Sequence, residues 1–233
     1  AAQNGNITTA ANGVVAIGYT ALEALTSGER NLAIGYEALK QDDDGDDSIA
    51  IGYQALYGTG TGTNTKNIAI GNYALNANMT HNVNNIAIGH QALTNLAGSG
   101  AIDNVFIGST AGQSVTNADY NTGVGSGVMG EASGNAITGN YNVVMGALAG
   151  YNASGVFNAN TLIGYRAGFG ATTASGSVVI GYQAGDNITT ASGSVFIGVD
   201  AGGNVSTGNM NIGIGYNAFH NAATGDNNIA IGV

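Results

Sequence analysis

The sequence predicts an all-β fold, a parallel β-roll or β-solenoid of about thirteen coils, each of roughly 17 residues. Three observations carry this prediction. One glycine recurs at Gly18, Gly35, Gly52, Gly71, Gly89, Gly108, Gly125, Gly146, Gly164, Gly181, Gly198, Gly215 and Gly232, at spacings of 17, 17, 19, 18, 19, 17, 21, 18, 17, 17, 17 and 17. A short apolar segment of constant chemistry precedes every one of them. The 233 residues include 40 Gly, no Pro and only 8% charged side chains, so neither a missing backbone donor nor a row of charge interrupts stacking. The repeat occupies residues 14–233, and residues 1–13 form a lead-in.

Each copy starts at a polar position. Four residues before the glycine stands Asn or Ser in twelve of thirteen copies, as at Asn31, Ser48, Asn67 and Asn85, with Val14 the exception. Stacked in register, this column makes a ladder whose side chains bond neighbouring coils or cap the turn backbone. Next comes a mainly β-branched position (Val15, Ile49, Ile68, Val105), then Ala in six copies with Phe106, Phe196 and Leu162 as larger variants, then Ile, Val124 or Met145. Four or five residues with β-branched enrichment suit a strand rather than a helix. Alternation puts Ile49 and Ile51 on one face and Ala50 on the other. Both faces are apolar, as in a strand covered on both sides. Ile49 and Ile51 are therefore expected in the core of the roll, and Ala50 on a second face that meets neighbouring chains.

The glycine makes the corner, where it permits a positive φ or close backbone approach. Tyr follows it in six copies: Tyr19, Tyr36, Tyr53, Tyr165, Tyr182 and Tyr216. Three residues after the glycine stands Ala in eleven of the twelve copies that reach so far, so "YxAL" or "YxAG" reads as a second extended piece. The remainder, such as "TSGER" and "STGNM", has turn chemistry. Length varies in this polar stretch, where surface insertions are tolerated. Twelve coil-to-coil steps of about 4.8 Å predict a rod of roughly 60 Å. A coil so small leaves one apolar face wet, and three-fold self-association covers it; a homotrimer is expected.

Composition excludes several classes. Net charge is −10, with only Arg30, Lys40, Lys66 and Arg166 as fixed cations. That is too little positive charge for a nucleic-acid partner or an anionic membrane surface. No apolar run approaches the ~20 residues of a spanning helix, so this segment is not expected to insert into a membrane. The absence of Cys removes disulfides and thiolate metal sites.

"NIAIG", "SIAIGYQA" and "NNIAIG" resemble the head repeats of trimeric autotransporter adhesins, the YadA-like heads, and the likeness covers almost the whole chain. The longer "NIAIGYQAL" form is also similar to the repetitive shafts of phage tail fibres. The resemblance implies a trimeric parallel β-roll in an extracellular cell-surface fibre or virion appendage. The repeat of this chain is longer than the YadA-like head repeat.

Other signals weigh less. "GSGVMG", Gly125 to Gly130, matches G-x-G-x-x-G, but no amphipathic helix follows and Gly125 is a repeat glycine. The acidic turn of Asp42, Asp43, Asp44, Asp46 and Asp47 reads as a solvated surface turn; the alternative is Ca²⁺ or another structural ion, although the EF-hand pattern is not met. No cofactor is otherwise expected. His81, His90 and His220 are dispersed, without metal-ligand spacing. The Tyr column reads as a packing ladder, with a ligand-binding stripe for glycans or flat apolar partners as the alternative. Thr at 172–173 and again at 189–190 would suit an ice-binding array, but only over two coils.

The expected function is a non-enzymatic structural and adhesive fibre segment whose trimeric surface attaches to a host surface protein, matrix or glycan. A phage or viral tail-fibre shaft acting as a spacer is the alternative, and a β-solenoid carbohydrate-active enzyme a third reading, for which no acidic pair stands out.

Overall fold

The computed structural model describes residues 12–58, 64–77, 80–97, 100–130, 136–221 and 224–233; the lead-in lies mostly outside them. Among the described residues there are thirteen strands and no helix. The chain forms two compact units, residues 1–119 and 120–233. Unit 1 holds β1 (Val15–Ile17), β2 (Leu32–Ile34), β3 (Ile49–Ile51), β4 (Ile68–Ile70), β5 (Ile86–Ile88) and β6 (Val105–Ile107). Unit 2 holds β7 (Thr122–Val124), β8 (Val143–Met145), β9 (Thr161–Ile163), β10 (Val178–Ile180), β11 (Val195–Ile197), β12 (Ile212–Ile214) and β13 (Ile229–Ile231). Within each unit, successive strands pair in parallel and in chain order, the pattern of a parallel β-solenoid.

Register is indifferent to coil length. Leu32 pairs with Ile49 across a short coil, Ile49 with Ile68 across a longer one, and Thr122 with Val143 across the longest. Extra residues are therefore taken up outside the strands, as the polar segments predict.

Two expectations need correction. There is one strand of three residues per coil, not two extended pieces. The "YEAL" after Gly35 is a turn in which Glu37 has φ 54° and Leu39 φ 49°, which no strand residue adopts. Its backbone is nonetheless paired coil to coil: Glu37 N–H donates to Tyr19 O at 2.9 Å and Leu39 N–H to Ala55 O at 3.0 Å.

The second correction reverses the faces of the strand. Ala33, Ala50, Ala69 and Ala87 are fully buried, whereas Ile49, Ile51 and their equivalents are half-exposed on the outside. The reason is width. The interior must also take the Ala and Leu that follow each glycine, such as Ala55 and Leu56, both buried. In these coils one small side chain per strand fills what remains.

That interior shows a reciprocity of size. Coils with Ala33, Ala50, Ala69 and Ala87 in the strand carry Leu39, Leu56, Leu75 and Leu93 four residues after the glycine. Coils with Phe106, Leu162, Val179 and Phe196 carry Gly112, Gly168, Gly185 and Gly202 there. Where the strand has Gly123 or Gly213, the answering residue is Met129 or Phe219. A Cβ on Gly112 would lie 2.7 Å from Phe106 Cδ1, and one on Gly168 2.9 Å from Leu162 Cδ1. Each of these coils holds one large side chain, supplied from either wall, which keeps packing dense.

The Asn/Ser ladder forms as expected and is buried. In unit 1, Asn31 Oδ1 accepts from Ser48 N–H at 2.9 Å, Ser48 Oγ from Asn67 N–H at 3.3 Å, Asn67 Oδ1 from Asn85 N–H at 3.0 Å, and Asn85 Oδ1 from Asn104 N–H at 3.1 Å. Asn85 Nδ2 donates to Ala101 O at 2.9 Å. Unit 2 repeats this from Asn121 through Asn142, Asn160, Ser177, Ser194 and Asn211 to Asn228. Replacing Asn85 by Leu strands the Asn104 N–H in the interior and leaves the Ala101 carbonyl with only the Val83 N–H, at 3.3 Å. Urea denaturation of Asn85→Leu should reveal a loss of about 3 kcal/mol. Asn85→Ser keeps an acceptor already used at Ser48 and should cost clearly less; equal losses would remove the ladder from the stability account.

Candidate functional site

The outer face of the strands is exposed and apolar among the described residues. In each coil, the residues flanking the buried strand centre are mainly aliphatic and point outward. Val15 and Ile17 are 46% and 57% exposed, and Ile107, Val143, Met145 and Ile214 are among the exposed large apolar residues. In unit 1, six strands at about 4.8 Å spacing and three residues of about 3.3 Å make an aliphatic plane of roughly 25 by 10 Å. An area of about 250 Å² is close to the largest apolar patch of an ordinary monomer, a size of patch that is often functional.

The Tyr column follows this plane, one residue past the glycine corner. It lies outside the roll, and Tyr19, Tyr36, Tyr53, Tyr165, Tyr182 and Tyr216 are all exposed. Tyr19, Tyr36 and Tyr53 stack at centroid distances of 5.1 and 5.2 Å. Tyr53 meets Tyr73 edge-on at 5.2 Å, and Tyr73 meets His90 at 6.4 Å. In unit 2, Tyr165 and Tyr182 stack at 5.4 Å. The rings pack on each other beside the roll. A second stack, Tyr120 on Tyr141 at 5.3 Å, runs along another edge.

The glycines Gly18, Gly35, Gly52, Gly71, Gly89 and Gly108 sit at the corner between these columns, with φ between 132° and 141°. Their role is structural. A Cβ on Gly52 would fall 2.6 Å from Gly71 O in the next coil.

The five acids of the turn between β2 and β3 do not act together. Asp47 pairs with Arg30, Oδ1 to Nε at 2.5 Å and Oδ2 to Nη2 at 3.1 Å, and the Arg30 hydrogen bond holds its carboxyl below the usual range. Asp46 Oδ1 accepts from Glu29 N–H at 2.7 Å. Asp42, Asp43 and Asp44 remain, each with a carboxylate oxygen within 4.8 Å of the others'. Asp42 is buried, and burial first, then its neighbours Asp44 and Asp43, push its carboxyl up to about 7 against the opposing Gly45 N–H bond. On the same side of the coil, Lys40 bonds Glu37 at 2.7 Å; that bond first, and one from Gln54 second, lower the Glu37 carboxyl.

Two patterns escape a reading of the sequence by the glycine alone. The Asp46 contact belongs to a second ladder six residues before the glycine. There the backbone N–H of Ile102, Asn140, Ser175, Ser192 and Asn209 is accepted by Asp119, Asn158, Ser192, Asn209 and Asp226. Buried Asn64 and Asn82 form another, Asn82 N–H donating to Asn64 Oδ1 at 3.1 Å and Ala101 N–H to Asn82 Oδ1 at 2.8 Å. The signal for both was a side-chain acceptor recurring at coil spacing. Of the Thr at 172–173 and 189–190, the Thr172 and Thr189 hydroxyls bond Thr189 O and Ser206 O, whereas Thr173 and Thr190 are exposed. Within "GSGVMG" the described residues form a turn after β7.

No protein-family model matches this chain, and no curated protein does. The likeness to adhesin head repeats and tail-fibre shafts stands on the repeat motif itself.

Proposed function

We propose that the chain is a non-catalytic structural and adhesive segment of an extracellular fibre, a homotrimer whose outer surface attaches to host-cell protein, matrix or glycan. One observation supports this above others: coil after coil turns two aliphatic side chains outward beside a column of stacked tyrosines. Three copies turning that plane toward a common axis bury it, and the tyrosines rim the contact. The exposed polar turns then form the presented surface. Identical weak sites on three chains gain avidity without any strong single pocket.

The plane supplies the test. Light scattering should give about three times the chain mass of 23.0 kDa for the wild type. Ile51→Glu combined with Ile70→Glu places adjacent carboxylates in the plane and should return folded monomer. A wild type that stays folded at the mass of a single chain rejects the trimer. A stable trimer without binding to cells, matrix proteins or glycans retains the fibre and rejects adhesion, leaving the spacer reading.

A further inference from the structure

The acidic turn holds a buried carboxylate with one oxygen that no group of the protein answers. Asp42 is only 3% exposed. Its Oδ1 accepts Gly45 N–H at 3.1 Å. Its Oδ2 is buried and accepts no hydrogen bond, and neither does the buried Asp44 Oδ1. Taking a carboxylate out of water costs several kcal/mol unless something positive or hydrogen-bonding replaces the water. The cations flanking this turn in sequence are engaged elsewhere, Arg30 with Asp47 and Glu29, and Lys40 with Glu37 and Glu23. The turn is also shaped closely around Asp42: a Cβ on Gly45 would come within 2.8 Å of Asp42 Cγ.

We propose that Asp42, Asp43 and Asp44 bind one Ca²⁺ per chain. Their oxygens lie within 4.8 Å of one another. Ligands on opposite sides of a single Ca²⁺, at about 2.3–2.6 Å each, are separated by about that span. The donors are all carboxylate oxygens, with no His or Cys in the group, which selects a hard cation. Three consecutive residues on one turn give an irregular ligand set, which Ca²⁺ accepts and Mg²⁺, with its strict octahedron, does not. Water completes the shell on the exposed side of Asp43. Without a full protein cage, affinity falls in the range of extracellular modules, a Kd of about 10⁻⁴ to 10⁻³ M. The ion would fasten this turn to the coil before it, because Asp43 O already accepts the N–H of Thr26 at 2.8 Å and of Ser27 at 3.2 Å.

The full chain, stripped with a chelator, tests this by calorimetric titration with Ca²⁺ and by terbium luminescence excited through tyrosine. Tyr57 is a placed donor of energy, since its hydroxyl bonds Gln41, the residue before Asp42, at 2.8 Å. The expected result is one site per chain, with Asp42→Asn and Asp43→Asn each weakening Ca²⁺ at least about tenfold. Asp46→Asn, which keeps an acceptor for Glu29 N–H, should bind as the wild type does. Asp43 is exposed, so its variant reads the site even if Asp42→Asn fails to fold. Absence of both heat and terbium emission up to about 10 mM cation overturns the proposal, as does unchanged affinity in Asp43→Asn. The site is independent of the trimer, and its failure leaves the fibre reading untouched.

Discussion

Gly52→Ala should remove a large share of the stability of unit 1, although it adds one methyl group. The Cβ would stand 2.6 Å from Gly71 O and 2.7 Å from Gly71 C, both backbone atoms of the next coil. No rotamer relieves such a clash. Either β3 and β4 separate, losing the bond from Gly71 N–H to Ile51 O at 2.8 Å, or the corner unwinds. The φ of 138° at Gly52 is itself outside the region open to alanine. Together these should exceed about 4 kcal/mol, a large share of what a domain possesses. Gly176→Ala provides the comparison. Gly176 also has positive φ, 69°, but an added Cβ meets nothing within 4 Å. At the matching position Arg30, Asp47 and Lys66 adopt φ of 56–59°. Its cost should be about 1 kcal/mol, the left-handed penalty alone. Chemical denaturation that placed the two variants together would refute the backbone-contact explanation.

The interior reciprocity predicts a rescue. Leu162→Ala removes a buried side chain and should cost about 2–5 kcal/mol. Gly168→Leu drives new atoms into Leu162 and should cost about 1–3 kcal/mol or more. The double variant reproduces the arrangement of Ala33 with Leu39 and should lie within about 1 kcal/mol of the wild type. Gly168, at φ 61°, already has the backbone that Leu39 adopts at φ 49°, so the swap adds only the left-handed penalty of about 1 kcal/mol. A double-mutant cycle measures the coupling; strictly additive losses would mean that the two walls do not share one space.

Much of the fold was legible. The glycine spacing located every strand, and the Asn/Ser column located a ladder that the structure contains. The orientation of the strand was not. Alternation separates Ile49 and Ile51 from Ala50 but does not say which side is inside, and hydrophobicity favours the wrong answer. Coil width decides it, and width depends on residues across the coil. The paired changes at Phe106 with Gly112 and Ala87 with Leu93 carried that information. The left-handed turn at Leu39 had no local signal, because leucine has no preference for that conformation. In the acidic turn, adjacency grouped five aspartates; coil spacing separates Asp46 and Asp47, which face Glu29 and Arg30 one coil earlier, from the three that remain.

Register that ignores coil length has a consequence for how such a chain changes over generations. Within a unit, axial extent counts glycines rather than residues, each adding about 4.8 Å. Duplication or loss of one whole repeat therefore joins surfaces that already fit, an Asn or Ser rung to another and a glycine to another. Length can drift in discrete quanta while each intermediate remains foldable, so recombination between repeats, more than point substitution, is the natural means of altering reach.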